Sequence, residues 1–156
     1  MPTIEIITRI SAPVERVFDL ARSIDLHVNS TSSSGERAVA GITHGLIGDG
    51  QEVTWSAKHL GIRQTLTVRI TAFERPTHFS DTMIQGTFRS MEHHHWFEAE
   101  GGGTVMRDVF TYQSPLGFLG RIVDAIYLTG YLRNFLISRN QVVKTTVESD
   151  DWKKYV

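Results

Sequence analysis

Residues 78–113 read HFSDTMIQGTFRSMEHHHWFEAEGGGTVMRDVFTYQ, and the period of this stretch decides the fold class. Within 88–99, Met91, His93, His95 and Phe97 share one side, against Glu92, His94, Trp96 and Glu98. Within 104–113, Met106, Asp108, Phe110 and Tyr112 oppose Val105, Arg107, Val109 and Thr111. A period of two is the mark of a strand with one face buried. Gly86 and the run Gly101–Gly103 separate three such segments by short links, so consecutive strands pair antiparallel. Phe88 to Met91 breaks the alternation and is expected to hold a bulge.

Working upstream, residues 51–60 and 62–74 continue the pattern, and 36–42 form a weaker strand after a Ser-rich loop at 30–35. Val53, Trp55, Ala57 and His59 share a face, as do Ile62, Gln64, Leu66, Val68 and Ile70. Residues 3–10 alternate around Ile4, Ile6 and Ile10. Ser11 to Glu15 then reads as a helix start, with Ser11 as cap and Pro13 in the first turn. Val14, Val17, Phe18 and Ala21 give 13–22 a helical stripe, and a second short helix is expected near 25–29. Downstream, no proline occurs from Leu116 to Glu148, and Leu119, Ile122, Val123, Ile126, Leu132, Phe135, Leu136, Val142 and Val143 recur at helical spacing. A helix of that length must lay one stripe on the sheet, with Gly130 marking a bend or a close contact. Two apolar stripes are present, one before Gly130 and one after, which fits either a bent helix or an exposed patch used for dimerisation. The expectation is one α+β domain over 1–148, with a loosely ordered tail at 149–156.

A strand, two short helices, a six-strand meander and a closing helix is the element order of the helix-grip fold. The chain resembles the START-like (SRPBCC, Bet v 1-like) superfamily and its bacterial ligand-binding members. The residues that carry the likeness are Ser11-Ala12-Pro13-Val14-Glu15-Arg16-Val17-Phe18, Phe79-Ser80-Asp81, Gly86-Thr87-Phe88, His93 to Glu98, Gly102-Gly103-Thr104 and Tyr112 to Gly117. The resemblance covers about residues 3–147. It implies a curved seven-stranded antiparallel sheet around a long C-terminal helix, enclosing a cavity. It does not name the ligand, because this superfamily hosts lipid binders, hormone receptors, polyketide cyclases and chaperone-like domains.

Polar side chains on an apolar face are the informative ones, since burial is costly unless each finds a partner. The inward set contains Gln64, Asp81, His93, His95 and Asp108 among Trp55, Phe79, Phe97 and Phe110. Adjacent hairpins bring Asp81, His93, His95 and Asp108 within reach across the ladder. Four readings suit that cluster, in descending order: a structural hydrogen-bond network, a group that orients a ligand's polar head, a general acid–base pair, and a two-His-one-carboxylate metal site. Tyr127 and Tyr131 on the helix either pack on the sheet or line the cavity opposite Gln64 and the His pair.

The classes excluded are as useful. There are no cysteines, hence no disulfide, thiolate ligand or cysteine nucleophile, which suits a reducing cytoplasm. The start, MPTIEIITRI, has no signal-peptide pattern, and Arg121, Asp124, Arg133 and Arg139 interrupt the most apolar helix, so no stable membrane insertion is expected. A net charge of −1 without a basic block speaks against nucleic acid. Gly101–Gly103 joins two strands and leads into no helix, so it is a turn rather than a phosphate cradle, and no nucleophile or cofactor motif appears. The expectation is a cofactor-free, non-catalytic module for a small hydrophobic molecule, lipid-like or polycyclic. The alternatives are a cyclase or dehydratase, with His93 or His95 as base, and an interaction domain using the helix surface. Either a monomer or a homodimer fits.

Overall fold

The computed structural model describes residues 1–115 and 117–156, with the side chains of residues 124 and 125 also left out. Leu116, where the sequence starts the closing helix, lies outside the described residues. Strands β1 (Thr3–Ile10), β2 (Arg37–Gly41), β3 (Glu52–His59), β4 (Ile62–Glu74), β5 (His78–Gln85), β6 (Ser90–Glu100) and β7 (Gly103–Gln113) form one antiparallel sheet. Its order is β1-β7-β6-β5-β4-β3-β2, a meander with β1 returned beside β7. Two helices follow β1, α1 (Val14–Ala21) and α2 (Ile24–Ser30). The closing segment comprises α3 (Gly117–Val123), a π-helical turn (Asp124–Leu128) and α4 (Thr129–Glu148). This is the helix-grip fold.

Alternation sorts the faces as the sequence predicts. Met91, His93, His95 and Phe97 are buried on β6, and Met106, Asp108, Phe110 and Tyr112 on β7. Ile62 departs from this pattern: it begins β4 beyond the helix's cover and is 63% exposed. The β6–β7 register runs unbroken from Ser90–Gln113 to Glu100–Gly103. Ser90 and Met91 thus pair regularly with β7, while Phe88 and Arg89 precede the strand: Arg89 gives its N–H to Gln113 O at 2.8 Å, and Phe88 packs against the Tyr112 ring at 5.3 Å. Register shifts lie in β4 against β5 and in β2 against β3. The β6–β7 link places Gly101 and Gly102 at φ 57° and 82°, the left-handed pair that a two-residue hairpin turn needs.

The helix starts differ from expectation by position. Pro13 occupies the cap position of α1 and no side chain caps it; Ser11 instead donates its N–H to Glu148 of α4 at 2.7 Å. Ser23 caps α2 by accepting from the Leu26 N–H. Phe18 of α1 is fully buried, edge-on to Phe73, Phe79 and Phe97 at 5.2–5.5 Å, and its burial contributes about 1.5–3 kcal/mol. That aromatic knot closes one end of the sheet.

The closing helix is where sequence and structure part most. Leu136, Val143 and Val147 of α4 are buried against the sheet and α1–α2. Leu119, Ile122, Val123 and Ile126, the stripe before Gly130, are 43–78% exposed. The π-helical turn between them rotates the helical phase, so one stripe cannot serve both halves. A Cβ on Gly130 would meet nothing within 4 Å, so that glycine marks no close contact. The tail, expected to be loose, forms a short 3₁₀ turn at Asp150–Lys154. It is tied down by Trp152, which carries the Arg16 guanidinium 4.1 Å over its ring, and by Tyr155, whose hydroxyl accepts from Asn29 at 2.6 Å. No described helix is long and apolar enough to cross a membrane.

Candidate functional site

Sheet and α4 enclose a cavity of about 360 Å³. Trp55, Gln64, Phe79, Asp81, His93, His95, Phe110 and Tyr131 line it, as the face assignment predicts. Three residues expected there do not. Phe97 belongs to the aromatic knot around Phe18, Asp108 lies buried behind the two histidines, and Tyr127 is 60% exposed on the π-helical turn. Gln64 accepts from the Thr87 hydroxyl at 3.2 Å.

The His/Asp cluster forms by diagonal pairing across the ladder. Asp81 stands opposite His93 and His95 opposite Asp108, yet the hydrogen bonds run crosswise. His93 Nε2 is 2.9 Å from Asp108 Oδ1, and His95 Nε2 is 2.9 Å from Asp81 Oδ1. His95 Nδ1 lies 3.0 Å from Asp108 Oδ1, near enough for an ion pair but not aligned as a hydrogen bond. Helix α4 completes the set: Asn140 donates to Asp108 Oδ2 at 2.7 Å, and the Arg139 guanidinium approaches Asp108 at 3.6 Å.

These contacts divide the charges. Burial would raise the Asp108 pKa, but the His93 hydrogen bond and the close approach of His95 outweigh it and hold the carboxyl well below its ordinary value. Asp81 is likewise held down, burial being outweighed mainly by the His95 hydrogen bond. For His95, burial opposes the charge, but Asp108 and Asp81 prevail and raise its pKa. His93 goes the other way: burial, reinforced by charged His95, pushes it down to about 4. The cluster thus sets two carboxylates, both held toward their charged form, against Arg139 and a His95 whose protonated form is favoured, while His93 is favoured neutral.

Arg139 is the least satisfied member. It is 4% exposed and lines the cavity, its two outer nitrogens make bonds of 3.2 and 3.3 Å to Ala21 O and Asn140 Oδ1, and its Nε has no partner. Neither Arg139 nor Asn140 was singled out from the sequence as a site residue. The signal was there, since both stand within the stripe Leu136, Val143, Val147 where apolar residues belong. As for metals, one donor atom each from Asp81, His93 and His95 lies within 4.8 Å of the others. A cation there would have to displace the proton that joins His95 Nε2 to Asp81.

A second polar group lines the cavity where α2, β3 and the start of α4 meet. His27 Nε2 pairs with Glu36 Oε1 at 2.5 Å and stacks its ring on Trp55 at 4.1 Å. His59 Nδ1 bonds the Tyr131 hydroxyl at 2.7 Å, and its Nε2 stands 4.0 Å from Glu36 Oε2. Glu36 is 7% exposed. Burial lowers the His59 pKa against the opposing pull of Glu36; burial and Glu36 together raise that of Tyr131. The sequence flagged Tyr131 and His59 but not His27 or Glu36, whose meeting depends on how α2 docks.

An antiparallel helix-grip domain with a polar cluster inside an apolar cavity is the class these observations define. Solved structures of that class match over nearly full length. A Thermus thermophilus protein, TTHA0849, aligns with a TM-score of 0.76 at 19% identity, covering 94% of this chain and 97% of that one. Major latex-like protein 151 of Panax ginseng aligns at 0.69 and 16% identity over 95% and 98%. A START superfamily protein of Mycobacterium smegmatis aligns at 0.69 and 12% identity over 94% and 97%. At these identities the likeness establishes the fold, shared with START and Bet v 1-like proteins. No protein-family model matches the chain, and no curated protein matches it in sequence.

Proposed function

We propose that the protein binds a small, largely apolar molecule, lipid-like or polycyclic, whose polar head meets Arg139 and the His/Asp cluster, without chemical conversion. The observation that carries this reading is Arg139: a guanidinium only 4% exposed that lines an apolar cavity, its outer nitrogens held by long bonds of 3.2 and 3.3 Å. A buried charge needs close partners, so a ligand oxygen on the cavity side of the guanidinium would complete the set. A cavity of about 360 Å³ with mostly apolar walls and a few convergent polar groups suits such a ligand. Trp55, Phe79 and Phe110 would shape the apolar part, and Asp81, His93 and His95 would fix the head.

The cyclase or dehydratase reading draws less support. A general base works best with a pKa near the operating pH, whereas His93 is pushed down to about 4 and His95 is held between two carboxylates. Native mass spectrometry of the protein as purified, followed by extraction of any retained compound, tests the proposal. A retained apolar molecule with an oxygen-bearing head is the expected result. An empty protein that also fails to bind a panel of fatty acids and polycyclic acids would sink it.

A further inference from the structure

The cavity has two polar ends, and they differ in kind. At one end stand Arg139 and His95, beside Asp108, engaged by His93 and Asn140, and Asp81, engaged by His95 through one oxygen. Arg139 lines the cavity and its outer nitrogens make only long bonds of 3.2 and 3.3 Å, so the guanidinium is the donor this end offers. At the other end stand Glu36, His59 and Tyr131. There the second Glu36 oxygen lies 4.0 Å from His59, beyond hydrogen-bond reach. The Tyr131 hydroxyl, bonded to His59, keeps an unused lone pair. That end offers acceptors.

Their separation follows from the elements that carry them. Tyr131 and Arg139 are eight residues apart on α4, about 12 Å along a helix rising about 1.5 Å per residue. His59 on β3 and His93 and His95 on β6 are three strand steps apart, about 14 Å in a flat sheet and less in a curved one. Most of the remaining lining is apolar, Trp55, Leu66 and Phe135 among it.

We infer that the cavity is built for an elongated apolar molecule with an acidic or acceptor group at one end and a hydroxyl or amine at the other, bound in one direction. The inference rests on the ligand-binding reading above and specifies it. The acid sits against Arg139, and the single hydrogen of the hydroxyl is shared between Glu36 and Tyr131. A second acid at the Glu36 end is disfavoured, because it would meet the carboxyl of Glu36 in a largely buried position. A ligand with one polar group would leave one end dry and unpaired, and that difference is measurable.

The test is calorimetric titration of three probes of equal chain length: ω-hydroxydodecanoic acid, dodecanoic acid and dodecan-1-ol. The hydroxy acid is expected to bind about tenfold tighter than either one-ended probe, the worth of one well-formed buried hydrogen bond. Tyr131→Phe and, separately, Glu36→Gln are expected to erase its advantage over dodecanoic acid, with the melting temperature measured in parallel to confirm folding. Equal affinity for hydroxy acid and dodecanoic acid, unmoved by either substitution, would overturn the two-ended inference and leave the ligand-binding reading standing. Dodecan-1-ol binding as tightly as the hydroxy acid would overturn it too. Failure of all three probes to bind would remove both.

Discussion

The two polar ends of the cavity teach different lessons about what a buried charge is for. The Asp108 end is closed: two strands and a helix converge on one carboxylate that takes bonds from His93 and Asn140 and faces His95 and Arg139. The Glu36 end is looser, with His59 and Tyr131 partly exposed and a 4.0 Å gap between His59 and Glu36. A network satisfied from three elements fixes how those elements pack, whereas one with spare acceptors is available to something else. The comparison predicts that the first end dominates stability and the second dominates selectivity.

The largest effect should come from Asp108→Ala. Removing the shared carboxylate strands the Asn140 amide, His93 and two cations in a dry site, a loss of about 3–5 kcal/mol in urea unfolding at neutral pH. Tyr131→Phe is its counterpart at the looser end and should cost no more than about 1 kcal/mol, one hydrogen bond with the ring kept. Equal losses at the two positions would break the comparison.

The second effect is one of pH. His93 is neutral in the fold and has its pKa pushed down to about 4 from 6.5, so the unfolded chain takes up its proton first. Its contribution is fully present above pH 6.5 and is lost as pH falls from there toward 4, on the order of 3 kcal/mol if nothing opposes it. His95 does oppose it. Its pKa is raised in the fold, so its contribution is present below the ordinary imidazole value and lost as pH rises through the folded one. His93→Gln keeps an amide to bond Asp108 but carries no titration, and should flatten the stability loss between pH 6.5 and about 4. An unchanged slope would assign the acid sensitivity elsewhere.

How much of this was legible follows from the range of each interaction. The His/Asp cluster was readable because it lies on three consecutive antiparallel strands, where short turns fix the register and period-two alternation fixes the face. Arg139 and Asn140 complete that cluster from a helix well downstream in the chain, and only the docking of α4 brings them there. His27 and Glu36 were missed for the same reason, since α2 must pack over β3 before they meet. That the closing helix carries two apolar stripes was legible, but which of them faces solvent was not, because a single π-helical turn changes the phase without leaving a sequence mark as plain as proline. Ser11 was misread as a cap because its N–H serves a helix at the far end of the chain.

The smallest effect sharpens the comparison at the looser end. Leu60, directly after His59, turns the β3–β4 hairpin at φ 54°, with Gly61 at 80°. A left-handed conformation costs a non-glycine residue about 1–2 kcal/mol, and asparagine less than leucine. Leu60 is 48% exposed, so little apolar burial offsets that strain. Leu60→Asn produces the Asn-Gly pair that this hairpin turn favours, and should stabilise the protein by up to about 1 kcal/mol. The leucine nevertheless lines the cavity. If Leu60→Asn stabilises the protein while weakening its hold on a hydrophobic probe such as dodecanoic acid, Leu60 keeps a strained turn for the sake of an apolar rim beside His59. If it destabilises by more than about 1 kcal/mol, the side chain is part of the core, and the looser end is more tightly built than its geometry suggests.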